Sequence, residues 1–228
     1  MEFTTLEVSG SDAVRLLEEY RSMYYSAGQY PFLIGDGEEL ERLQEQAEDA
    51  EQVPAEVVRA SLEIDIGAWI ARRREERRED AKDDEFSHEE LLGEWPIEVA
   101  EKGSISLHKD VVSGDIIPKV YLGLAKIEQP WQLPAVIHYG GWNECPFPEV
   151  HCAFHRSWQW RFGAQITGIS GDTVECLVKN PPRDRKTALD LAWEQYWYCN
   201  DIVDQGCGSI SNLAATLLNS PYWFFWWD

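Results

Sequence analysis

The sequence lacks long apolar runs and the standard catalytic motifs. No stretch approaches the ~18 consecutive apolar residues of a membrane-spanning helix, and the first residues lack the basic and apolar regions of a secretory signal. The patterns GxxxxGK(S/T), GxGxxG, GxSxG and HExxH are all absent. We therefore expect a cytoplasmic protein with no recognised cofactor and no standard nucleotide-binding or hydrolase chemistry.

Cysteine is scarce and its spacing excludes the common pairings. The chain has five cysteines and no CxxC pair. An odd number without a secretory signal favours reduced thiols over a disulfide framework. The five are Cys145, Cys152, Cys176, Cys199 and Cys207.

Charge and tryptophan divide the chain near residue 102. The net charge is −21, and residues 1–102 hold 28 acidic and 11 basic side chains, against 13 and 9 in residues 103–228. Nine of the 11 tryptophans lie in the second part. A chain this acidic should be repelled by nucleic acid and by anionic lipid. We therefore expect neither as a ligand. A basic protein is the natural partner.

The composition predicts three parts: an acidic α/β region (1–80), an acidic linker (81–102) and an aromatic-rich α+β domain (103–228). The first part should contain an edge strand, a helix that stops at Gly28 and a buried strand. From Pro54 we expect one long helix that ends in a run of arginines and glutamates. Opposite charges three and four residues apart are typical of a solvated helix surface, which argues against a nucleic-acid-binding arm.

The second part predicts a mixed or antiparallel sheet with helices packed on it, an α+β fold. Strands are expected over Val120–Ile127 and Leu133–Tyr139, followed by a helix that stops at Gly163 and a hairpin. The closing aromatic run, Tyr222–Trp227, should be a strand with Trp223, Phe225 and Trp227 on one face. Because both of its faces are aromatic, we expect it in the middle of the sheet.

A cluster of polar residues at the end of an aromatic helix is the first candidate site. It comprises Glu194, Tyr198, Asp201, Asp204 and Gln205. Carboxylates among aromatics would have raised pKa values or be held by backbone N–H groups, which suits acid–base chemistry or metal binding. The alternative is that the two aspartates form turns and cap the helix that begins near Ser209.

His151 and His155 are the second candidate, since on a helix they lie one turn apart on one face. This is metal-ligand geometry, but zinc needs three or four protein ligands. Cys145 or Glu144 would have to supply the third ligand, and chance pairs at this spacing are common. We therefore predict no metal site.

The loop Gly140–Pro146 is the third candidate. Paired glycines allow close approach of a ligand, Trp142 offers a stacking face and Asn143 a polar group. Cys145 could be a nucleophile, with His138, His151 or His155 as its base. The alternative is a rigid turn fixed by a buried tryptophan.

Several motifs in the stretch 120–228 resemble a bacterial family described as domain of unknown function 4253. In order, they are Gly140-Gly141-Trp142-Asn143, Cys145-Pro146, Gly163-Ala164, Pro181-Pro182, the stretch Cys199–Gly206 and Trp226-Trp227-Asp228. The resemblance covers about half of the chain. It implies a compact α+β domain with no established activity, so it assigns no catalytic residues.

These observations support two hypotheses about function. The first is a non-enzymatic, acidic binding protein of the immunity or inhibitor type, which presents its N-terminal region to a basic protein partner. The second is an enzyme or small-ligand-binding domain. Its pocket would lie between the 140–146 loop, the His151/His155 helix and the Asp201–Gln205 turn.

Overall fold

Helices and strands alternate along most of the chain. The structure is a computed structural model and describes residues 3–48, 52–80, 88–98 and 102–228. None of the described helices is both long and apolar enough to cross a membrane. The elements are β1 (Phe3–Ser9), α1 (Gly10–Ala27), β2 (Tyr30–Gly35), α2 (Gly37–Glu48), α3 (Pro54–Leu62), α4 (Ile66–Asp80), α5 (His88–Leu92), β3 (Lys119–Ala125), α6 (Leu133–Ile137), α7 (Pro148–Phe162), β4 (Ala164–Ile169), β5 (Thr173–Val178), α8 (Arg185–Tyr198), α9 (Ile210–Leu217) and β6 (Tyr222–Trp226).

One mixed sheet organises these elements, in the strand order β1-β3-β2-β4-β5-β6. Strands β2 and β4 pair in parallel, and the other neighbours pair antiparallel. The predicted α+β class with a mixed sheet is therefore confirmed. Because β1 and β2 flank β3, the acidic N-terminal region and the aromatic C-terminal part build the same sheet.

The two faces of the sheet bury different sets of side chains. On one face, Leu33 and Leu122 pack with Leu17 of α1. On the other face, Phe32 joins a much larger cluster that includes Trp158 of α7 and Tyr198 of α8. Strand alternation sends neighbouring residues to opposite faces, which explains how β2 contributes to both clusters. The larger, aromatic cluster thus lies beneath α7, α8 and α9.

Helix α1 ends as the sequence predicts. Gly28 takes a left-handed conformation, with φ of 67°, and donates its N–H to the Tyr24 carbonyl at 2.8 Å. At the other end, the Ser9 hydroxyl accepts from the Ser11 N–H at 3.3 Å. The N-terminal cap is Ser9, the last residue of β1, since the strand passes directly into the helix.

The long helix predicted from Pro54 is wrong, because two helices replace it. Helix α3 ends at Leu62 and α4 begins at Ile66. Between them, the Asp65 carboxylate accepts the Ala68 N–H at 3.0 Å and so satisfies a free donor of the first turn of α4. A capping residue inside the apolar pattern therefore starts a new helix.

The strand predicted over Leu133–Tyr139 is also wrong, since Leu133–Ile137 forms the short helix α6. Pro134 lies in the first turn, where proline needs no hydrogen bond, and the Tyr139 N–H donates to the Pro134 carbonyl at 3.0 Å. Every residue of α6 is buried. A short, wholly buried run has no polar positions from which to tell a period of 3.6 from a period of 2.

Strand β6 lies at the edge of the sheet, so the expected central position is wrong. The predicted alternation is confirmed: Trp223, Phe225 and Trp227 are at most 1% exposed. On the opposite face, Phe224 is 43% exposed. Aromatic residues on both faces did not require a neighbour on both edges, because the helices cover only one face of β6 fully.

The described part of the predicted linker is packed. His88 stacks on Trp193 of α8 with 4.3 Å between ring centroids, and Trp95 and both leucines of α5 contact the core. The Ser211 hydroxyl of α9 donates to the Gly93 carbonyl at 3.0 Å. Residues 81–87 and 99–101 of that prediction lie outside the described residues.

Candidate functional site

A chain of five buried polar side chains crosses the interior between the 140–146 loop and β5. The Cys145 Sγ lies 3.4 Å from His151 Nε2, and His151 Nδ1 lies 2.5 Å from the Tyr198 hydroxyl. That hydroxyl is 3.0 Å from His155 Nε2, and His155 Nδ1 is 3.8 Å from the Cys176 Sγ. We call this set the thiol–imidazole chain. Each member therefore contacts a polar atom of the next member in this order.

The secondary structure explains why these groups meet. One turn of α7 separates the two histidines and places them on the same face. Tyr198, the last residue of α8, inserts its hydroxyl between them. In β5, Cys176 points to the α7 side of the sheet, whereas its neighbour Glu175 points to the other side and contacts Ser106 and Tyr222. Three separate elements, α7, α8 and β5, together with the 140–146 loop therefore supply one continuous chain.

Burial keeps the thiol–imidazole chain uncharged. It lowers the pKa of His151 well below its usual value, an effect to which the neighbouring His155 adds. It also lowers the pKa of His155 to about 3. Burial raises the pKa of the Cys145 thiol and of the Tyr198 hydroxyl. At neutral pH the histidines are therefore neutral imidazoles and the thiols are protonated.

Glycine in the 140–146 loop makes room for His151. Gly140 has φ of 101°, and a Cβ atom there would lie 1.9 Å from the Pro146 carbonyl oxygen and 2.7 Å from His151 Nε2. The Gly141 N–H donates to the same carbonyl at 2.9 Å, which closes the loop over the ring. Only glycine fits at residue 140, so the loop brings Cys145 to the histidine.

A cleft of about 600 Å³ separates α4 from the segment 143–150, and Cys145 forms part of its wall. Cys145 is only 4% exposed. The Arg73 guanidinium bridges the cleft, because it pairs with Glu144 and lies 5.6 Å from the ring centroid of Trp69. Arg73 and Arg72 also pair with Glu76, at 3.9 and 3.7 Å, which agrees with the expected contacts between opposite charges three and four residues apart. Arg72, Arg73 and Glu76 all line the cleft, so one charged face of α4 forms its wall.

The Asp201–Gln205 turn is held by side-chain contacts instead of serving as a cap. The Asp201 carboxylate accepts the Asp228 N–H at 3.0 Å and the Gln205 amide at 3.1 Å, and Asp204 pairs with Arg77 at 2.6 Å. Residues 202–207 form a π-helical turn. The hydroxyl of Ser209, not an aspartate, caps α9 by accepting the Asn212 N–H at 3.1 Å. The alternative in which the two aspartates cap α9 is therefore wrong.

The structure brings two of the three predicted segments, the 140–146 loop and the Asp201–Gln205 turn, together around Asp228. Asn143 donates its side-chain amide to the Asp228 carbonyl at 2.9 Å, on the residue whose N–H bonds Asp201. Glu194 accepts from the Trp158 indole and from Arg161, the latter at 2.8 Å. It therefore holds α8 against α7, and its hydrogen bonds within the described residues do not reach the thiol–imidazole chain.

Trp142 lines a different cleft, of about 450 Å³, beside α2. Trp226 lies on the same cleft, and both rings are half-buried. Three carboxylates and one guanidinium share the lining, those of Glu45, Asp172, Asp228 and Arg42. We call it the tryptophan cleft.

A row of glutamates on α2 borders the tryptophan cleft. All four are exposed, and none has an ion pair within the part of the chain that the structure describes. Their spacing of three, four and three residues places them on one face of the helix, opposite the buried Leu43. We call this row, which consists of Glu38, Glu41, Glu45 and Glu48, the acidic stripe.

The sequence analysis missed Cys176, which is one member of the thiol–imidazole chain, and the role of Gly140 beside His151. The alternation of β5 would have placed Cys176 on the face of the sheet that α7 covers, had the strand been assigned a face. Gly140 was interpreted only as one of two glycines that allow close approach of a ligand, whereas it makes room for His151. In the described ranges, no group of three or more His, Cys, Asp and Glu side chains is arranged to hold a metal ion.

The site defines a class: an α+β domain with a mixed sheet and a buried thiol–imidazole chain. Residues 121–228 match the model of the family described as "Domain of unknown function (DUF4253)", which confirms the resemblance seen in the sequence. A search of curated proteins and a search of solved structures each found no match. The matched residues include every member of the thiol–imidazole chain.

Proposed function

We propose that the protein is a binding protein of the immunity or inhibitor type, which holds a basic protein partner against its acidic N-terminal face in the cytoplasm. The acidic stripe carries the proposal. It presents four carboxylates in one row, with no cationic partner among the described residues. Carboxylates left without partners on one helix face form a negative field that attracts a basic surface.

The tryptophan cleft would give the partner a specific contact. Lysine and arginine side chains bind over indole faces, with a gain of about 0.5–2 kcal/mol that depends on how far they are desolvated. Trp142 and Trp226 supply such faces, and Glu45 joins the cleft to the acidic stripe. We therefore expect one cationic side chain of the partner to insert here while its neighbours lie along α2.

The remaining features agree with a cytoplasmic setting and with fast association. All five cysteines, which lie within the described residues, are free thiols. The net charge of −21 would accelerate the encounter with a basic partner at low ionic strength. Binding of this kind requires no chemistry at the acidic face.

The experiment compares two variants that have the same net charge. In the first, Glu38, Glu41, Glu45 and Glu48 are replaced by Gln. In the matched control, Gln replaces four other exposed glutamates that have no ion pair within the described residues, namely Glu18, Glu56, Glu63 and Glu79. Each immobilised protein is used to capture partners from native lysate at 50 and 500 mM salt, and the captured protein is then purified and titrated by calorimetry.

We expect the wild type and the control to retain one basic protein at low salt and to release it at high salt. The acidic-stripe variant should bind it at least tenfold more weakly. Equal binding by both variants would show that net charge alone acts. The absence of any salt-sensitive partner would overturn the proposed function.

A further inference from the structure

We propose that Cys145 and His151 form a nucleophile–base pair, a second site that opens into the α4 cleft and accepts an acyl group from neutral or cationic acyl donors. The site is separate from the acidic face and does not depend on the partner proposed above. It rests on the contact of Cys145 with an imidazole, the orientation of that imidazole and the cleft whose wall includes Cys145.

The first step of the argument is the geometry of the pair. A thiol within hydrogen-bond reach of an imidazole whose other nitrogen is held by a third group is the arrangement that activates nucleophiles in unrelated enzymes. Cys145 lies 3.4 Å from His151 Nε2, and Tyr198 holds His151 Nδ1 at 2.5 Å. Tyr198 is therefore a positioning residue for the base.

The second step is the direction of the hydrogen bonds, which allows His151 to accept a proton. If Cys145 donates to His151 Nε2, then His151 Nδ1–H donates to the Tyr198 oxygen. The Tyr198 hydroxyl in turn donates to His155 Nε2, and His155 Nδ1–H points at the Cys176 sulfur. The three inner groups, His151, Tyr198 and His155, then each donate once and accept once, so this orientation leaves Nε2 of His151 as an acceptor that can act as the base.

The third step is access and the chemical class of the ligand. Other buried cysteines of the chain are enclosed, whereas Cys145 forms part of the wall of a cleft of about 600 Å³. The first turn of α7 lies on the same wall and has no side-chain cap, so its positive end favours negative charge developing there. Four carboxylates and two guanidinium groups line the cleft, which disfavours an anionic donor; they belong to Asp65, Glu76, Glu144, Glu149, Arg72 and Arg73.

The reaction follows from these positions. As the Cys145 sulfur attacks the carbonyl carbon of the donor, the thiol proton passes to His151 Nε2. The bond between the carbonyl carbon and the leaving group then breaks, and the leaving group takes the proton from His151. The products are a thioester on Cys145 and the protonated leaving group, so atoms and electrons balance without a further reactant.

The experiment uses p-nitrophenyl acetate, a neutral acyl donor, on the full-length protein. Acetylation is located by mass spectrometry, and the rate at each cysteine is followed between pH 6.5 and 9. Cys207, which is partly exposed and has no histidine partner among the described contacts, is the internal control for a simple thiol. Cys152, buried beside His151 in the sequence, is the control for an enclosed thiol.

We expect Cys145 to be acetylated faster than Cys152 and Cys207, at a rate that changes little with pH. The reason is that the buried titratable groups that face the pair from the interior, Tyr139, His155, Tyr198 and Cys199, stay uncharged over this range. A thiol without a base should instead react about tenfold faster for each pH unit below its pKa. His151→Gln should slow the reaction at Cys145 by about 100-fold, and Tyr198→Phe should slow it less.

Two outcomes would overturn the proposal. One is acetylation of Cys145 in the wild type that is no faster than that of Cys152, a result that needs no variant and so cannot reflect misfolding. The other is an unchanged rate of Cys145 acetylation in His151→Gln, provided that this variant unfolds at the same temperature as the wild type. Alkylation by iodoacetamide, which is neutral, and by iodoacetate, which is anionic, separates the ligand classes. The ratio of the iodoacetate rate to the iodoacetamide rate should be lower at Cys145 than at a model thiol peptide.

Discussion

Residues 121–228 and residues 3–48 contribute strands to one sheet, yet they place their characteristic side chains in opposite environments. The first segment buries most of its aromatic residues together with imidazoles and thiols, so that Trp158, Tyr198 and His151 are enclosed. The second segment exposes its carboxylates, which form the acidic stripe on α2. Substitutions should therefore disturb folding in the first segment and recognition in the second.

The largest effect should come from Trp158 in the aromatic core. Its ring is fully buried and stacks on Phe225 with 5.3 Å between centroids. Trp158→Ala should lower the free energy of unfolding by about 3–5 kcal/mol, because it leaves a large cavity. The matched control is Trp160→Ala on the same helix, where the side chain is 87% exposed and the cost should be below about 0.5 kcal/mol. Urea denaturation measures both, and similar losses would contradict the division into core and surface.

The buried histidines predict how stability changes with pH. In the unfolded chain a histidine has a pKa of about 6.5, whereas burial lowers the pKa of His155 to about 3 and that of His151 well below its usual value. A lowered folded pKa gives stability that is present above about pH 6.5 and is lost as the pH falls towards 3. Each histidine contributes a slope of about 1.4 kcal/mol per pH unit in that window.

His155→Gln should remove one of these two slopes. We expect the free energy of unfolding of this variant to depend on pH less steeply than that of the wild type between pH 4 and 6, by about 1.4 kcal/mol per unit. Urea denaturation at several pH values measures it, with Trp160→Ala as the control. An identical slope in His155→Gln would mean that this imidazole is already protonated in the folded protein.

The sequence predicted the elements whose ends carry their own capping residues. Gly28 ends α1, Gly163 ends α7 and Ser209 begins α9, each through contacts within a few residues. The break at Asp65 follows the same rule, but the apolar pattern on both sides of it concealed the cap. The prediction of a strand over Leu133–Ile137 was wrong for the opposite reason, since a fully buried run has no alternation of polar and apolar residues.

The candidate site was predictable only as far as single elements allow. Helical spacing placed His151 and His155 on one face, and the loop composition marked Cys145. Their junction depends on Tyr198, which is 47 residues from His151, and on Cys176, which is 21 residues from His155. Which strand lies beneath which helix is decided by packing across the sheet, and no local period encodes it.

The smallest effect on stability should come from the acidic stripe. Replacing Glu38, Glu41, Glu45 and Glu48 by Gln removes three like-charge contacts at helical spacing, each worth about 0.2–0.5 kcal/mol. It also removes Glu38 from the first turn of α2, where the positive end of the helix favours a carboxylate by a similar amount. The net change in the free energy of unfolding should therefore be a stabilisation below about 1 kcal/mol at low salt, which disappears at 0.5 M salt because the repulsion is screened.

Thermal and urea unfolding of the acidic-stripe variant at both salt concentrations measure this change. A loss of more than about 2 kcal/mol would exceed what exposed substitutions cost and would show that the stripe supports the fold. Its charges would then be part of the core's stability, and the proposed separation between a folding segment and a recognition segment would fail. A small, salt-sensitive gain would instead mean that these carboxylates weaken the free protein slightly, so that a basic partner would relieve their mutual repulsion when it binds.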